Sequence, residues 1–233
     1  MFNRNIFFKG ALHGSPFLLV IAPFGLLFGV VAAEAGLTII ETLAMTILVI
    51  AGASQFTALA LLSEHAPTLI IIIASLAVNL RMAMYSAALV PHFGEAPMRW
   101  RALAAYFMID QTFAVAVKQY DATPAWSSAE KLSYYFGSAA IVCPFWYCST
   151  YLGAVIGEAI PKSYSLDFAI PICFIAIIAP MIRNLPHLVT LLVSVTVALC
   201  LSWLPYNIWL LISALLAMMA GAQTEYWLER RKP

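Results

Sequence analysis

Residues 68–90 read TLIIIIASLAVNLRMAMYSAALV, and the only charge among them is Arg81. A helix needs roughly 20 apolar residues to cross the hydrocarbon core of a bilayer. This stretch meets that length, and similar runs surround it at roughly 15–34, 42–62, 101–118, 132–157, 166–182, 187–204 and 206–223. Of the 233 residues, 63% are hydrophobic and 10% are charged. A soluble domain carries about 25% charged residues, so too few polar side chains are present to cover a water-exposed surface. The apolar content excludes disorder. The net charge of +1 excludes a basic nucleic-acid-binding surface. The sequence therefore predicts an all-α, polytopic membrane helix bundle of seven or eight transmembrane segments, forming a single domain over 1–233.

The first and sixth runs set the uncertainty between seven and eight. Pro16, Pro23, Gly25 and Gly29 interrupt the first, and Pro171 and Pro180 the sixth, so both are expected to be broken. The first 36 residues also imitate a signal peptide, with Arg4 and Lys9 ahead of an apolar run and Ala33-Glu34-Ala35 as a small-x-small site. The rest of the chain is equally apolar, so the segment reads as a retained first helix. With eight spans, Arg4, Lys9, Lys118, Lys131, Arg183, Arg230, Arg231 and Lys232 share one side, against Arg99, Arg101 and Lys162 on the other. That bias places both termini in the cytoplasm. An internal repeat is suggested by residues 28–35, FGVVAAEA, beside residues 152–159, LGAVIGEA. Each segment follows a Pro-Phe pair, Pro23-Phe24 and Pro144-Phe145, at unequal spacing. The four cysteines lie in apolar runs with no C-x-x-C, and the four histidines lie at run ends, so no metal site is expected.

Two charges fall deep inside runs. Arg81 lies ten residues before Pro91, about 15 Å in at helical rise. Asp110 lies nine residues after Arg101, about 14 Å in. Measured from the same connection, two antiparallel helices would bring the two side chains level. A charge at mid-membrane costs roughly 2.5–3.5 kcal/mol on insertion scales, so an ion pair or a polar cavity is expected. Asn79 and Tyr85 flank Arg81. Ser54 and Gln55 sit among small residues in Ala51-Gly52-Ala53-Ser54-Gln55-Phe56. Pro23 and Gly25 would leave free backbone N–H groups if the first helix unwinds there. The candidate substrate-binding set is therefore Arg81, Asp110, Gln55, Asn79, Ser54, Tyr85, Pro23 and Gly25, with Met82, Met84, Phe56 and Phe113 as apolar lining. The pair reads either as a lock between two helices or as a site for a zwitterion.

At these residues the chain resembles the AzlC-type branched-chain amino acid permeases, the large subunit of a two-component exporter. The likeness rests on Pro-Phe-Gly-x-x-Phe-Gly at 23–29, Ala-Gly-Ala-Ser-Gln-Phe at 51–56, Asn-Leu-Arg at 79–81 with Tyr85 and Leu89-Val90-Pro91, and Asp110-Gln111-x-Phe113. The resemblance implies export of aliphatic amino acids such as valine, leucine and isoleucine. It also implies a bacterial inner membrane and a small all-helical AzlD-type partner subunit. Family members often carry Asp-Glu where this chain has Asp110-Gln111, and Gln carries no proton.

The sequence holds no G-x-x-x-x-G-K-[ST], so nucleotide-driven transport is not expected, and a gradient would supply the energy. An intramembrane enzyme is not expected either. Gly52-Ala53-Ser54 has no deep histidine to serve as base, and H-E-x-x-H is absent. No cofactor is called for. The alternatives left open are a non-transporting scaffold or assembly subunit, and a transporter of another small zwitterion.

Overall fold

The computed structural model describes residues 3–159, 175, 182–204 and 208–230. Among them every regular element is helical: α1 Arg4–Gly14, a 3-10 turn Ser15–Phe17, α2 Leu18–Glu34, α3 Ile39–Leu48, α4 Gly52–Ser63, α5 Thr68–Phe93, α6 Met98–Tyr106, α7 Asp110–Ala122, α8 Ser128–Ala159, α9 Leu185–Leu201 and α10 Ile208–Arg230. The chain divides into two compact units, Met1–Leu59 with Ser75–Ser165, and Ala60–Ala74 with Leu166–Pro233.

The frame of the first unit is a pair of long helices. α1, the 3-10 turn and α2 form one rod, Arg4–Glu34, and α8 is of similar length. They run side by side in the same direction. The Asn3 N–H donates to Ser133, Gly10 meets Tyr134, Gly14 meets Ser138, and Gly29 meets Thr150, Gly153 and Ala154. Helices of lipid-embedded proteins associate through close van der Waals approach, which small residues permit. A Cβ on Gly29 would overlap the Thr150 carbonyl, and one on Gly153 the Leu26 carbonyl. The two octapeptides suspected of being a repeat thus lie at the ends of these two helices, and Gly29 packs directly on Gly153.

The first helix does not break at Pro23. α2 continues through it, and the irregularity falls at Ser15–Phe17, where Pro16 sits in a 3-10 turn. Pro23 faces outward, where a kink offends no neighbour.

The breaks fall instead in the second and fourth runs. Residues 42–62 were expected as one span but form α3 and α4, parted at 49–51. Residues 101–118 form α6 and α7, parted at 107–109. Val49 and Ile109 are β-branched and take extended backbone, at φ −135°, ψ 94° and φ −134°, ψ 164°. The Ala51 N–H turns back to the Val49 carbonyl at 2.9 Å. The Thr112 hydroxyl accepts the Ile109 N–H at 3.1 Å and starts α7.

Each pair folds back on itself. Phe93, at the end of α5, packs on Tyr120 near the end of α7 and on Tyr135 near the start of α8. Lys131 of α8 lies 3.2 Å from His92 of α5. The segment α6–α7 therefore enters and leaves at the end of the molecule that holds Arg4. At the other end, α3 follows directly on Glu34, and the Thr38–Glu41 capping box fixes its start. The Gln55 amide returns to Thr46 across the hairpin at 2.9 Å. The Ser54 hydroxyl bonds the Ser75 carbonyl of α5 at 2.8 Å, so α4 climbs back toward the Glu34 end beside α5. Two re-entrant hairpins thus enter from opposite faces. Their tips touch where the Tyr106 hydroxyl donates to the Ile47 carbonyl at 2.7 Å. α4 has 12 residues and α7 has 13, so each is about 20 Å long or less, a little over half a bilayer.

Four helices, Arg4–Glu34, Thr68–Phe93, Ser128–Ala159 and Ile208–Arg230, are long and apolar enough to span alone. In the second unit α9 and α10 pack antiparallel, with Gly221 against Thr190 and Pro186. The sixth run, 166–182, lies outside the described residues except at 175 and 182. Among the described residues the structure thus holds four helices of spanning length and divides the second and fourth runs into α3–α4 and α6–α7.

This topology moves Arg99 and Arg101 to the side opposite to that expected. Arg4, Lys9, Arg99, Arg101, Lys118 and Lys131 all lie at one end of the first unit. Among its described residues, the other end holds Glu34, Glu41 and Glu158 with no Lys or Arg. The bias puts the Arg4 end in the cytoplasm.

Two outcomes follow from this architecture. Replacing Gly153 by Leu forces the rod and α8 apart and is expected to cost about 1–3 kcal/mol, typical of overpacking, read as a lower unfolding temperature in detergent. In a cysteine-free background, Arg99→Cys and Lys118→Cys are both expected to react with a membrane-impermeant maleimide only from the cytoplasmic side. Labelling from opposite sides would mean that residues 101–118 do span.

Candidate functional site

The hairpin tips bring polar groups to mid-membrane. Asp110 is the first residue of α7, and its Oδ2 lies 3.2 Å from the Arg81 guanidinium of α5. The pair foreseen from depth alone is present, but not between antiparallel neighbours. α5 and α7 run parallel, as the successive pairs Arg81–Asp110, Tyr85–Phe113 and His92–Tyr120 show. α6 carries the chain back to Asp110's depth. A carboxylate in the first turn also complements the positive end of the α7 dipole.

Tyr85 lies one turn after Arg81, stacked on Phe113 at 4.1 Å and 11° and interacting with the Asp110 carboxylate. The side chains of Arg81 and Asp110 are 28% and 40% exposed. An ion pair open on one side at this depth faces water or a polar ligand, because lipid would not solvate it.

A second polar group surrounds the tip of α4. Ser54 and Gln55 are buried, tied to Ser75 and Thr46 respectively. Seven buried side-chain atoms among the described residues have no hydrogen-bond partner: Gln55 Oε1, Ser75 Oγ, Asn79 Oδ1, Arg81 Nε, Asp110 Oδ1, Trp146 Nε1 and Thr150 Oγ1. Buried polar atoms without partners are rare and call for water, an ion or a ligand. These seven belong to the hairpin tips and to the stretches of α5 and α8 beside them.

The sequence-predicted residues therefore separate. Arg81, Asp110 and Tyr85 form one cluster. Ser54 and Gln55 form another, and Asn79 shares a face of α5 with Ser75, four residues before it, pointing nearly opposite to Arg81, two residues after it. Pro23 points outward, and Gly25 is packed on Ser149 and Trp146. The continuous α2 leaves no free N–H groups at Gly25 to receive a carboxylate. Met84 also points outward, whereas Phe56 is fully buried. Thr46, Ser75, Trp146 and Thr150 were not foreseen. Their signal was weak: single hydroxyls and an indole in apolar runs, with Trp146 and Thr150 one helical turn apart.

An apolar cavity of about 460 Å³ lies on the cytoplasmic half, lined by Phe7, Trp100, Phe107, Phe136, Ala139, Ala140 and Pro144. None of the unpartnered polar atoms lines it, so it is not the polar site. Removing one member of the ion pair, by Arg81→Gln or Asp110→Asn, leaves a charge unmatched. Because the pair is about a third exposed, a loss of about 1–3 kcal/mol is expected rather than the full buried-pair cost. Thermal unfolding would show the double neutral variant recovering part of it.

Comparison with known proteins agrees with a membrane protein. The family profile described as AzlC protein matches residues 16–160. An uncharacterised membrane protein of Archaeoglobus fulgidus is 27% identical over 77% of this chain and 77% of its own. An uncharacterised membrane protein of Helicobacter pylori strain 26695 is 27% identical over 91% of this chain and 92% of its own. The Escherichia coli inner membrane protein YgaZ is 25% identical over 73% and 71%. No solved structure matches the chain. The profile covers more than half of the sequence, including both hairpins and the ion pair, and the chain is a multi-pass membrane protein of the AzlC family.

Proposed function

We propose that this protein is a secondary transporter that exports branched-chain amino acids such as valine, leucine and isoleucine across a bacterial inner membrane. It works with a small AzlD-type membrane subunit and draws on an ion or proton gradient. The observation that carries the reading is the Arg81–Asp110 pair at the tip of a re-entrant half-helix, 3.2 Å apart and open on one side. Transporters place substrate sites near the midplane, at the ends of discontinuous helices.

A zwitterion suits such a site chemically. Its ammonium competes with the Arg81 guanidinium for Asp110, so binding opens the ion pair without leaving the carboxylate alone. Asp110 Oδ1 already lacks a partner and is free to accept from that ammonium. If protons couple transport, Asp110 carries the proton, because the neighbouring Gln111 has none to give. Tyr85 and Phe113, stacked beside the carboxylate, wall the site on one side. The YgaZ likeness supports placement in an inner membrane.

The deciding experiment is efflux of radiolabelled valine and leucine from cells loaded with dipeptide, with and without the small subunit. Arg81→Gln and Asp110→Asn are compared at matched membrane abundance. Wild-type efflux is expected to need both subunits and to fall at least tenfold in each variant. Full efflux in both variants would make the pair a structural lock. No efflux from stably inserted wild type would favour a scaffold or another solute.

A further inference from the structure

Two half-helices bring their N-termini to mid-membrane, and they differ in charge. α7 begins with Asp110, so its positive end is already matched by its own carboxylate. α4 begins Gly52-Ala53-Ser54, with no acidic residue in its first turn, and Ala51, the residue before it, has no side-chain acceptor to cap it. Free N–H groups and the dipole make such an end attract an anion.

Independent observations point to a ligand there. Gln55, in the next turn of α4, is 1% exposed, and its Oε1 has no partner. Helical side chains lean toward the N-terminus, which carries Gln55 back over the first turn. Trp146 of α8 is 5% exposed, the benzo edge of its ring lies against Gly52 through Cη2, and its indole Nε1, on the same ring, has no acceptor. Thr150, one turn further along α8, is fully buried with an unpartnered hydroxyl. Phe24, Phe28 and Phe56 close around Trp146, with neighbouring ring centroids 5.0 to 6.1 Å apart. The surroundings thus offer unmatched donors for an anion, one acceptor, and an aromatic wall for an aliphatic chain.

We infer that the N-terminus of α4 holds the carboxylate of an aliphatic amino acid, with the Trp146 indole N–H as a side-chain donor. This rests on the transport reading and assigns the carboxylate to α4 rather than to Arg81. The backbone N–H groups that the sequence seemed to offer at Pro23 and Gly25 are supplied by α4 instead.

The test uses purified protein in nanodiscs with ¹⁵N-indole tryptophan, the Trp146 signal being assigned by Trp146→Phe. Leucine, 4-methylpentanoate (no ammonium) and 3-methylbutylamine (no carboxylate) are titrated in turn. The Trp146 N–H is expected to shift downfield with leucine and with 4-methylpentanoate, but not with the amine. Arg81→Gln keeps that shift. Thr150→Val, which needs no change of ring, weakens 4-methylpentanoate binding severalfold, and Trp146→Phe about tenfold or more, as loss of a hydrogen bond to a charged group implies. A silent Trp146 signal with both carboxylates, or a shift lost in Arg81→Gln, overturns the assignment. Valine efflux is measured in parallel from cells that express the same chain together with the small subunit. Efflux with a silent indole sinks only the carboxylate site, whereas an indole shift without efflux sinks only the transport reading.

Discussion

A peptide group in hydrocarbon must find its partner within the protein, and a helix that stops half-way through the membrane exposes several such groups at once. The first unit contains four half-length helices, so this constraint governs its design. The tips close on each other and on the frame: Tyr106 reaches the Ile47 carbonyl, Ala51 turns back to Val49, and Thr112 takes up the Ile109 N–H. Among the described residues, seven buried side-chain atoms at the tips and in the adjoining stretches of α5 and α8 keep no partner. The rod and α8 supply a rigid wall against which this otherwise costly arrangement is held.

The arrangement divides labour between the two hairpins. The cytoplasmic hairpin carries a fixed negative charge balanced by Arg81, while the opposite hairpin presents hydroxyls and an amide. Arg81 and Asp110 cancel and the tip of the opposite hairpin carries no charge, so the two tips together are close to neutral. Neutrality keeps the empty site inexpensive in a low-dielectric surround. Bringing hairpins in from opposite faces also lets either tip move relative to the frame without breaking a spanning helix.

Much of this was legible in the sequence. Composition and run length fix the membrane class, because no soluble fold tolerates so few charges. Arg81 and Asp110 were recognisable because a charge deep in an apolar run needs a partner. The hairpins were not legible, because hydropathy measures only whether a segment is apolar. Residues 42–62 read the same whether they cross the bilayer or turn back in its middle. The breaks occur at Val49 and Ile109, not at proline, while Pro23 passes through a continuous helix. Backbone geometry there is set by the tip contacts, which a local reading does not contain. Trp146 and Thr150 stayed hidden for a related reason: in an apolar run both look like packing residues until their neighbours are known.

The parallel pairing of the rod with α8 has a consequence for how the protein is made. The two glycine-lined faces belong to segments separated by more than a hundred residues. At ordinary rates of synthesis the ribosome needs roughly ten seconds to travel between them. During that interval the rod lies in the bilayer with its contact face against lipid, and the segments that become hairpins have no wall to fold against. Nothing but the arrival of α8 supplies that wall. The half-helices therefore reach their final depth after insertion of the frame, and a chain that loses the glycine face would retain its spans yet leave its polar tips without a place to meet.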